Sequence, residues 1–547
     1  MIQYDTKIGI ILKFSVALTT FVLVKTTHML RKFAAAILSA LLLSTGWLGM
    51  TGLTLLVAFV PLLWLSAERD GSRRAWWGMF GWALLTFVLW NAMTVWWIWN
   101  ATPVGPIAAT LASTFLNMLA FMAFHTVSKR APKALAYTLL VAGWLTTEYW
   151  YTTGEFSWPW LILGNGFSHD IRLVQWYEYT GVFGGSLWVL LVNILLFETL
   201  RSPSRRRALT TAAAVLLPML LSLGLYAGYE EPEARARVTL VQPNVDCYDK
   251  FAAGTERQQM ENLLELAGEA PADADYILLP ETAVPGYWWE SSLRASDPVQ
   301  RFAALLRERQ SGAMLITGAN TLRHYPAGTQ SETARPYEGG GYIDIYNTAL
   351  GIDSTGGVQL HHKGRLVIGV ENTPTWVFDV LKFLVIDLGG TLGQIGIGRP
   401  GPVFEHNGLR TAAPICYEGL YGNFCGEFVR HGARAFFIIS NDGWWGDTPG
   451  YRHLFTISRL RAVEHRRAVA RAANTGMSGF ITARGDIGRT LGWQERGTLT
   501  DEVALDDRLT FYTRYGDYIA RIAQYVALLC VLYYVAYRVR KRNYLVD

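Results

Sequence analysis

Apolar runs separated by short basic loops fill most of residues 1–228, and one more covers 518–537. At ~20 residues per bilayer crossing, they give seven candidate spans at about 33–48, 51–66, 76–97, 107–127, 134–150, 178–199 and 208–228, and an eighth at about 518–537. Several are short for a ~30 Å hydrocarbon core, which leaves their tilt and ends open. Basic residues gather in alternate loops: Arg69, Arg73 and Arg74; Lys129, Arg130 and Lys133; Arg201, Arg205, Arg206 and Arg207; Arg538, Arg540, Lys541 and Arg542. Loops between them, such as Asn100 to Gly105, carry almost none. The positive-inside rule assigns every basic loop to the cytoplasm, so the part beyond the seventh span lies outside it. Residues 1–28 read as an N-terminal extension or an interfacial helix, because Met29-Leu30-Arg31-Lys32 ahead of an apolar run looks like a natural N-terminus.

Residues 236–505 have a different rhythm. Short apolar runs read as strands ("ARVTLVQPN", "ADYILLPE", "GAMLITGAN", "YNTALGID", "GLRTAAPICYE", "ARAFFIISND"), and helical periodicity appears at 255–269, 298–310, 418–431 and 451–466. "RAVARAANT", "SGFITAR" and a final hairpin close the series. Such alternation implies an α/β sandwich with helices covering the sheet faces. The expected organisation is an extension at 1–28, a helical multi-span membrane domain at 29–228, an extracytoplasmic sandwich domain at 229–505, and a membrane helix with a cytoplasmic tail at 506–547.

Composition sharpens this picture. Of 547 residues, 51% are hydrophobic and only 17% charged, against about a quarter charged in soluble proteins. That excludes a disordered chain and argues against a wholly soluble one. The 21 Trp and 26 Tyr suit membrane–water interfaces. A net charge of +5 over this length is no footprint for nucleic acid. Four cysteines, Cys247, Cys416, Cys425 and Cys530, make neither a disulfide framework nor a metal motif.

Three polar residues sit where strands end, the place where reactive groups collect in α/β sheets. Glu281 ends "YILLPE", Lys363 follows "VQLHH", and Cys416 ends "TAAPIC". Singly each is weak: a Glu after a strand is usually a solvated loop residue, and a lone Cys is usually a small core hydrophobe. Together they supply a nucleophile, a base and a cation. A thiol at a helix start and beside an ammonium is expected to have a lowered pKa. Glu281 can take its proton, and Lys363 with the Tyr417 backbone N–H can hold an oxyanion. This chemistry needs no metal and no cofactor. Cys425, inside a helix, has the weaker claim, Cys247 lacks a neighbouring set, and Cys530 falls in a span.

The segments "LLPETAVP", "HHKGRLV" and "PICYEG" resemble the Glu, Lys and Cys motifs of the nitrilase superfamily. With "ISNDGWWGDTPG", "RLRAVEHRRAVARAANTGMSG", "YTRYGDY", "FSWPWLILGNGF" and the flanking spans, residues 29–547 are similar to the apolipoprotein N-acyltransferase family. The resemblance implies a nitrilase-like α-β-β-α sandwich outside the cytoplasm of a bacterial inner membrane. It implies Glu281 as general base, Lys363 as oxyanion and structural cation, and Cys416 as nucleophile. Glu371, in "VIGVENTP", and Tyr417 and Glu418 match further active-site residues of the family. Phe251 stands where many members have Trp, and "VIGVEN" departs from the commoner "VPFGE". Residues 376–398, beginning at Trp376, read either as a mobile arm that gates the site from the lipid interface or as a core helix and turn.

The implied reaction is a two-step acyl transfer. A phospholipid acylates Cys416, and the α-amine of a diacylglyceryl-cysteine lipoprotein then takes the acyl group. The partners are thus a phospholipid donor, a diacylated lipoprotein acceptor and the bilayer, with the chain working as a monomer. Two other readings stand beside it: a membrane-tethered nitrilase-type amidase for a small amide, and a non-enzymatic transporter or receptor.

Overall fold

The computed structural model describes residues 28–543 except 69–70, 155–156, 248–249, 251–253, 369–370 and 372–394. Of the N-terminal segment 1–28, only His28 falls among the described residues. The chain forms two compact units. One comprises residues up to Ile98, Pro103–Ala227 and Asp517 onward; the other is Gly228–Gly516 with the short stretch Trp99–Thr102.

In the first unit every expected span is helical. The long helices are His28–Ser44, Arg73–Val95, Gly105–Ser128, Lys133–Thr153, Tyr177–Arg201, Arg205–Ala227 and Tyr518–Asn543. Among the described residues, six helices are long and apolar enough to cross a membrane: Met29–Trp47, Arg73–Asn100, Gly105–Ser128, Tyr177–Arg201, Arg205–Ala227 and Tyr518–Lys541. The other two candidate spans differ for physical reasons. Gly52–Ser66 is broken into a 3-10 turn and the two short helices Leu55–Ala58 and Val60–Ser66. The Asn193 amide enters the break, accepting from Phe59 N at 2.8 Å and donating to Leu55 O at 2.7 Å, which diverts backbone groups from the helical ladder. Lys133–Thr153 is long enough but polar on its inner face, where buried Glu148 accepts from Trp144 Nε1 at 3.0 Å and Leu163 N at 2.8 Å.

The basic loops meet at shared ends of helices. Lys32 pairs with Glu68 at 2.6 Å, and Lys129 donates to Ser66 O at 2.6 Å and to Glu68 O. Lys133 pairs with Glu198 at 2.9 Å, and Arg207 donates to Ser202 O at 2.8 Å.

The second unit holds two principal sheets. Its strands are β1 (Arg235–Gln242), β2 (Tyr276–Leu278), β3 (Val284–Trp289), β4 (Met314–Tyr325), β5 (Arg335–Pro336), β6 (Tyr342–Ile352), β7 (Val358–His362), β8 (Phe404–His406), β9 (Leu409–Thr411), β10 (Phe436–Ser440), β11 (Val469–Ala473), β12 (Ser478–Ile481), β13 (Ile487–Leu491) and β14 (Gly497–Ala504). The larger sheet runs β14-β1-β2-β4-β6-β5, with β3 beside β4 and β7 beside β6; the smaller runs β10-β11-β12-β13. β8 and β9 form a small ribbon.

Helices Glu256–Gly268 and Asp297–Glu308 bury Met260, Leu263, Val299 and Phe302 against Ile277, Leu315 and Leu350 of the larger sheet. Helix Pro449–His465 packs on β11 and β12 of the smaller one. The two sheets meet face to face, as the Tyr276 and Phe437 rings lie 4.8 Å apart. This is the expected α-β-β-α order. The last strand departs from the expected local hairpin: β13 turns back on β12, whereas β14 crosses to pair antiparallel with β1 from Arg235↔Ala504 to Gln242↔Gly497.

Candidate active site

β1, β2 and β4 are parallel neighbours, as are β10 and β11; Glu281 lies beyond the carboxyl end of β2, whereas Lys363 follows β7, antiparallel to β6, and Cys416 lies beyond β9, antiparallel to β8. Glu281 follows β2 in a tight turn whose next residue, Thr282, has φ 47°. β4 passes so close that a Cβ on Gly318 would lie 2.2 Å from Thr282 N and 2.6 Å from Glu281 Cα. Glycine at 318 is therefore what lets the Glu281 turn sit against the strand. Lys250, from the segment after β1, donates to Glu281 O at 3.1 Å and Thr282 Oγ1 at 2.8 Å.

Lys363, directly after β7, is 1% exposed and donates to Glu281 Oε1 and to Glu371 Oε1, both at 2.7 Å. Asn347, in β6, donates to the same two oxygens at 2.7 and 3.1 Å. The second Glu281 oxygen accepts from Asn441 N, just past β10, at 2.9 Å. Glu371 is fixed in turn, since its Oε2 accepts from Val367 N at 2.8 Å.

The turn at Cys416 is strained. Ala412 and Ile415 make single parallel bridges to Phe436 and Ile439, and Cys416 then adopts φ 47°, a left-handed conformation costly for a non-glycine residue. A 3-10 turn, Cys416–Leu420, leads into helix Gly422–Arg430, so the expected helix at 418–431 begins later than its pattern suggested. Buried Glu418 fastens this turn to the lysine loop. It accepts from Ile415 N and Gly364 N, both at 2.6 Å, and pairs with His361 Nε2 at 2.9 Å. Arg365 adds a clamp by lying over the Tyr421 ring at 5.0 Å, and Tyr417 packs edge-on to Tyr421.

The electrostatics correct one expectation. The Cys416 thiol is not activated in the resting site: burial first, then the Glu281 carboxylate, push it well above the ordinary thiol range, and Lys363 offsets only part of this. A helix start and a nearby ammonium do not overcome burial plus a carboxylate. For Glu281, burial acts upward, but the Lys363 ammonium and the donors on both oxygens hold it below the usual carboxylate value. Burial acts downward on Lys363, and Glu281 and Glu371 outweigh it, so the ammonium is held firmly charged. Burial pulls Lys250 down to about 8. The resting state is thus a neutral thiol facing an ionised carboxylate and a protonated lysine.

Glu281, Lys363, Cys416, Glu371, Tyr417 and Glu418 therefore meet in one cluster. Phe251 and Trp376 lie outside the described residues. Of the segment 376–398, Ile395–Gly398 is described, with Gly396 N on Ile345 O at 2.7 Å and Gly398 N on Lys363 O at 2.8 Å. Cys425 sits in the first turn of its helix, its thiol donating to Glu418 O at 3.5 Å and pushed up by burial to about 12.

Sequence reasoning missed Asn347, Lys250 and Ser440, whose hydroxyl bonds the Cys416 thiol and accepts from Arg471 Nη2 at 3.0 Å. Asn347 lies inside a strand and Lys250 ends no recognised element. Ser440, at the carboxyl end of β10, occupies the kind of position that could have flagged it. Among the described residues no group of three or more His, Cys, Asp or Glu is arranged to hold a metal.

Comparison with known proteins gives this cluster a family. Residues 237–509 match the carbon-nitrogen hydrolase family model, and residues 35–195 match that of the apolipoprotein N-acyltransferase N-terminal domain. An apolipoprotein N-acyltransferase of Allorhizobium ampelinum is 31% identical over 465 residues, covering 79% of this chain and 82% of that protein. The chain belongs to the apolipoprotein N-acyltransferase family. Another protein of that name, from Chlorobaculum tepidum, is 29% identical over 507 residues, 89% of this chain and 92% of its own. Among solved structures, a Saccharomyces cerevisiae member of branch 10 of the nitrilase superfamily aligns with TM-score 0.36 and 18% identity over 50% of this chain and 92% of that one. As a member of this family, the chain is a membrane-integrated enzyme, consistent with its six long apolar helices.

Proposed function

We propose that this protein moves an acyl chain from a phospholipid, through a thioester on Cys416, to the N-terminal α-amine of a diacylglyceryl-cysteine lipoprotein. The observation that carries the reading is the buried trio of Glu281, Lys363 and Cys416 within a chain of this family. Glu281 takes the thiol proton as sulfur attacks the phospholipid ester carbonyl. Lys363 spends two N–H groups on Glu281 and Glu371. Its third N–H and the Tyr417 backbone N–H are the proposed oxyanion donors. Collapse of the tetrahedral intermediate breaks the ester C–O bond, and Glu281 returns the proton to the departing lysophospholipid hydroxyl. In the second half the α-amine attacks the thioester carbonyl, and a proton passes through Glu281 back to the Cys416 thiolate as the C–S bond breaks.

Glu371 and Asn347 keep Lys363 and Glu281 in place, while Glu418 holds the nucleophile turn. Phe251 and Trp376 are proposed to touch the lipid substrates. The basic loops face the cytoplasm and the catalytic unit faces the periplasm, the side on which both lipid substrates are presented.

Incubating the purified protein with phosphatidylethanolamine alone, then measuring intact mass and mapping peptides, tests this. A hydroxylamine-sensitive acyl adduct is expected on the Cys416 peptide, absent in Cys416→Ala and kept in Cys425→Ala. A diacylated lipopeptide with a free α-amine should discharge it, and an N-acetylated one should not. Discharge by water as fast as by the lipopeptide would overturn the transferase reading in favour of a hydrolase.

A further inference from the structure

The membrane unit contains a cavity of about 690 Å³ that no part of the proposed reaction uses. Its mouth is basic. Lys32, Arg74 and Lys129 line it, with Glu68 as the opposing carboxylate. Three cations against one carboxylate leave the described lining positive. The carboxylate is already committed to Lys32 at 2.6 Å, and Lys129 is anchored on Ser66 O at 2.6 Å, which fixes both ammonium groups at the mouth.

Away from the mouth the wall turns apolar along one face of helix Arg73–Val95. Gly78, Gly81 and Leu85 succeed Arg74 at helical spacing and line the same cavity. Gly78 and Gly81 are exposed and a Cβ built on either meets nothing within 4 Å, so the helix leaves an open groove where side chains would otherwise project. From residue 74 to 85 the helix advances ~16 Å at ~1.5 Å per residue. That is about one leaflet of a ~30 Å hydrocarbon core. The cavity therefore has the profile of a single lipid, with a charged head, an apolar chain and the depth of one leaflet.

We infer that this cavity binds one anionic phospholipid, its phosphate held by Arg74, Lys32 and Lys129 and an acyl chain lying over Gly78 and Gly81. The positive mouth favours a net-negative headgroup such as phosphatidylglycerol over zwitterionic phosphatidylethanolamine, because each nearby basic side chain adds ~1 kcal/mol of attraction to anionic lipid. The cavity shares no lining residue with the cysteine cluster and does not depend on its chemistry.

Native mass spectrometry of the full-length protein in detergent, titrated with phosphatidylglycerol or phosphatidylethanolamine, tests the inference. Wild type should hold one phosphatidylglycerol in marked preference. Arg74→Gln should cut that preference about fivefold. Gly81→Leu, which fills the groove from a position with space around it, should remove the adduct for either headgroup. Soluble glycerol phosphate should not displace the lipid, since it brings no chain. In both variants acyl-adduct formation at Cys416 should match wild type, which shows that the fold is intact. Equal binding of the two lipids by wild type, or a phosphatidylglycerol adduct unchanged in both variants, would overturn the proposal, as would displacement by glycerol phosphate.

Discussion

The Glu281 charge biases the Cys416 proton, and one substitution separates that effect from the base's own role. Burial and the Glu281 charge keep the proton on the thiol, while Lys363 and its companions keep Glu281 ionised. Replacing Glu281 by Gln removes a negative charge that raises the thiol pKa, so that pKa must fall. Iodoacetamide alkylation of Cys416 in Glu281→Gln should then reach half its maximal rate at lower pH than in wild type. Acylation by phospholipid should move the other way and slow by ~10²–10⁴ for want of a proton acceptor. Because the Glu281 pKa is depressed, wild-type acylation should also stay level as pH falls to the ordinary carboxylate value near 4.5. An alkylation profile identical to wild type would remove Glu281 from the thiol's electrostatics. The residue types were readable because each closes a short apolar, strand-like run in the sequence. The sense of the thiol's pKa was not, since it depends on burial and on a carboxylate 135 positions earlier in the chain.

At the level of elements, the site depends on how closely two strands approach. The Glu281 turn leans on β4 at Gly318, where a methyl group would meet backbone rather than a movable side chain. Gly318→Ala should displace Thr282 and the Glu281 carboxylate together, lowering stability by ~1–3 kcal/mol through overpacking and slowing acyl-adduct formation. Thermal unfolding and adduct kinetics read the two effects, and a wild-type adduct rate would mean that the turn moves without disturbing the base. Helices were legible to within a few residues: 255–269 is Glu256–Gly268, 298–310 is Asp297–Glu308, and 451–466 is Pro449–His465. The strand expected to run to Cys416 was read too long. Only Leu409–Thr411 is a strand, and Pro414, with no N–H to donate, sits between the isolated bridges at Ala412 and Ile415 and keeps them from joining into a ladder. The partner of β14 was invisible for another reason: its register with β1 spans more than two hundred residues, and local periodicity says nothing about distant pairing.

Across the whole molecule, alternation of basic and uncharged loops predicted a bundle with its cationic ends on one side, and the Lys32–Glu68 and Lys133–Glu198 pairs join loops assigned to the same side. Gly52–Ser66 belongs to that alternation although, at ~1.5 Å per residue, it is too short to cross a ~30 Å core unaided. Reporter fusions at Ser204 and after Arg540 should read cytoplasmic, and a cysteine-directed label introduced at exposed Gly254 should react from the periplasm. A cytoplasmic Gly254 would overturn both the orientation and the proposed lipoprotein reaction. The division of the chain into an apolar part and a sandwich was plain from composition. The inner polar face of Lys133–Thr153 was not, because Glu148 takes its partners partly from a segment outside its own helix.

The neutral thiol has a consequence for survival in an oxidising compartment. All four cysteines are buried and none is in a disulfide, and Cys416 is only 5% exposed. Thiolates, not thiols, attack disulfides and feed the oxidation ladder toward sulfenic acid. By withholding the thiolate until a carbonyl arrives, the Cys416 site would resist disulfide exchange and peroxide in the periplasm, where we place it, without a resolving cysteine beside it.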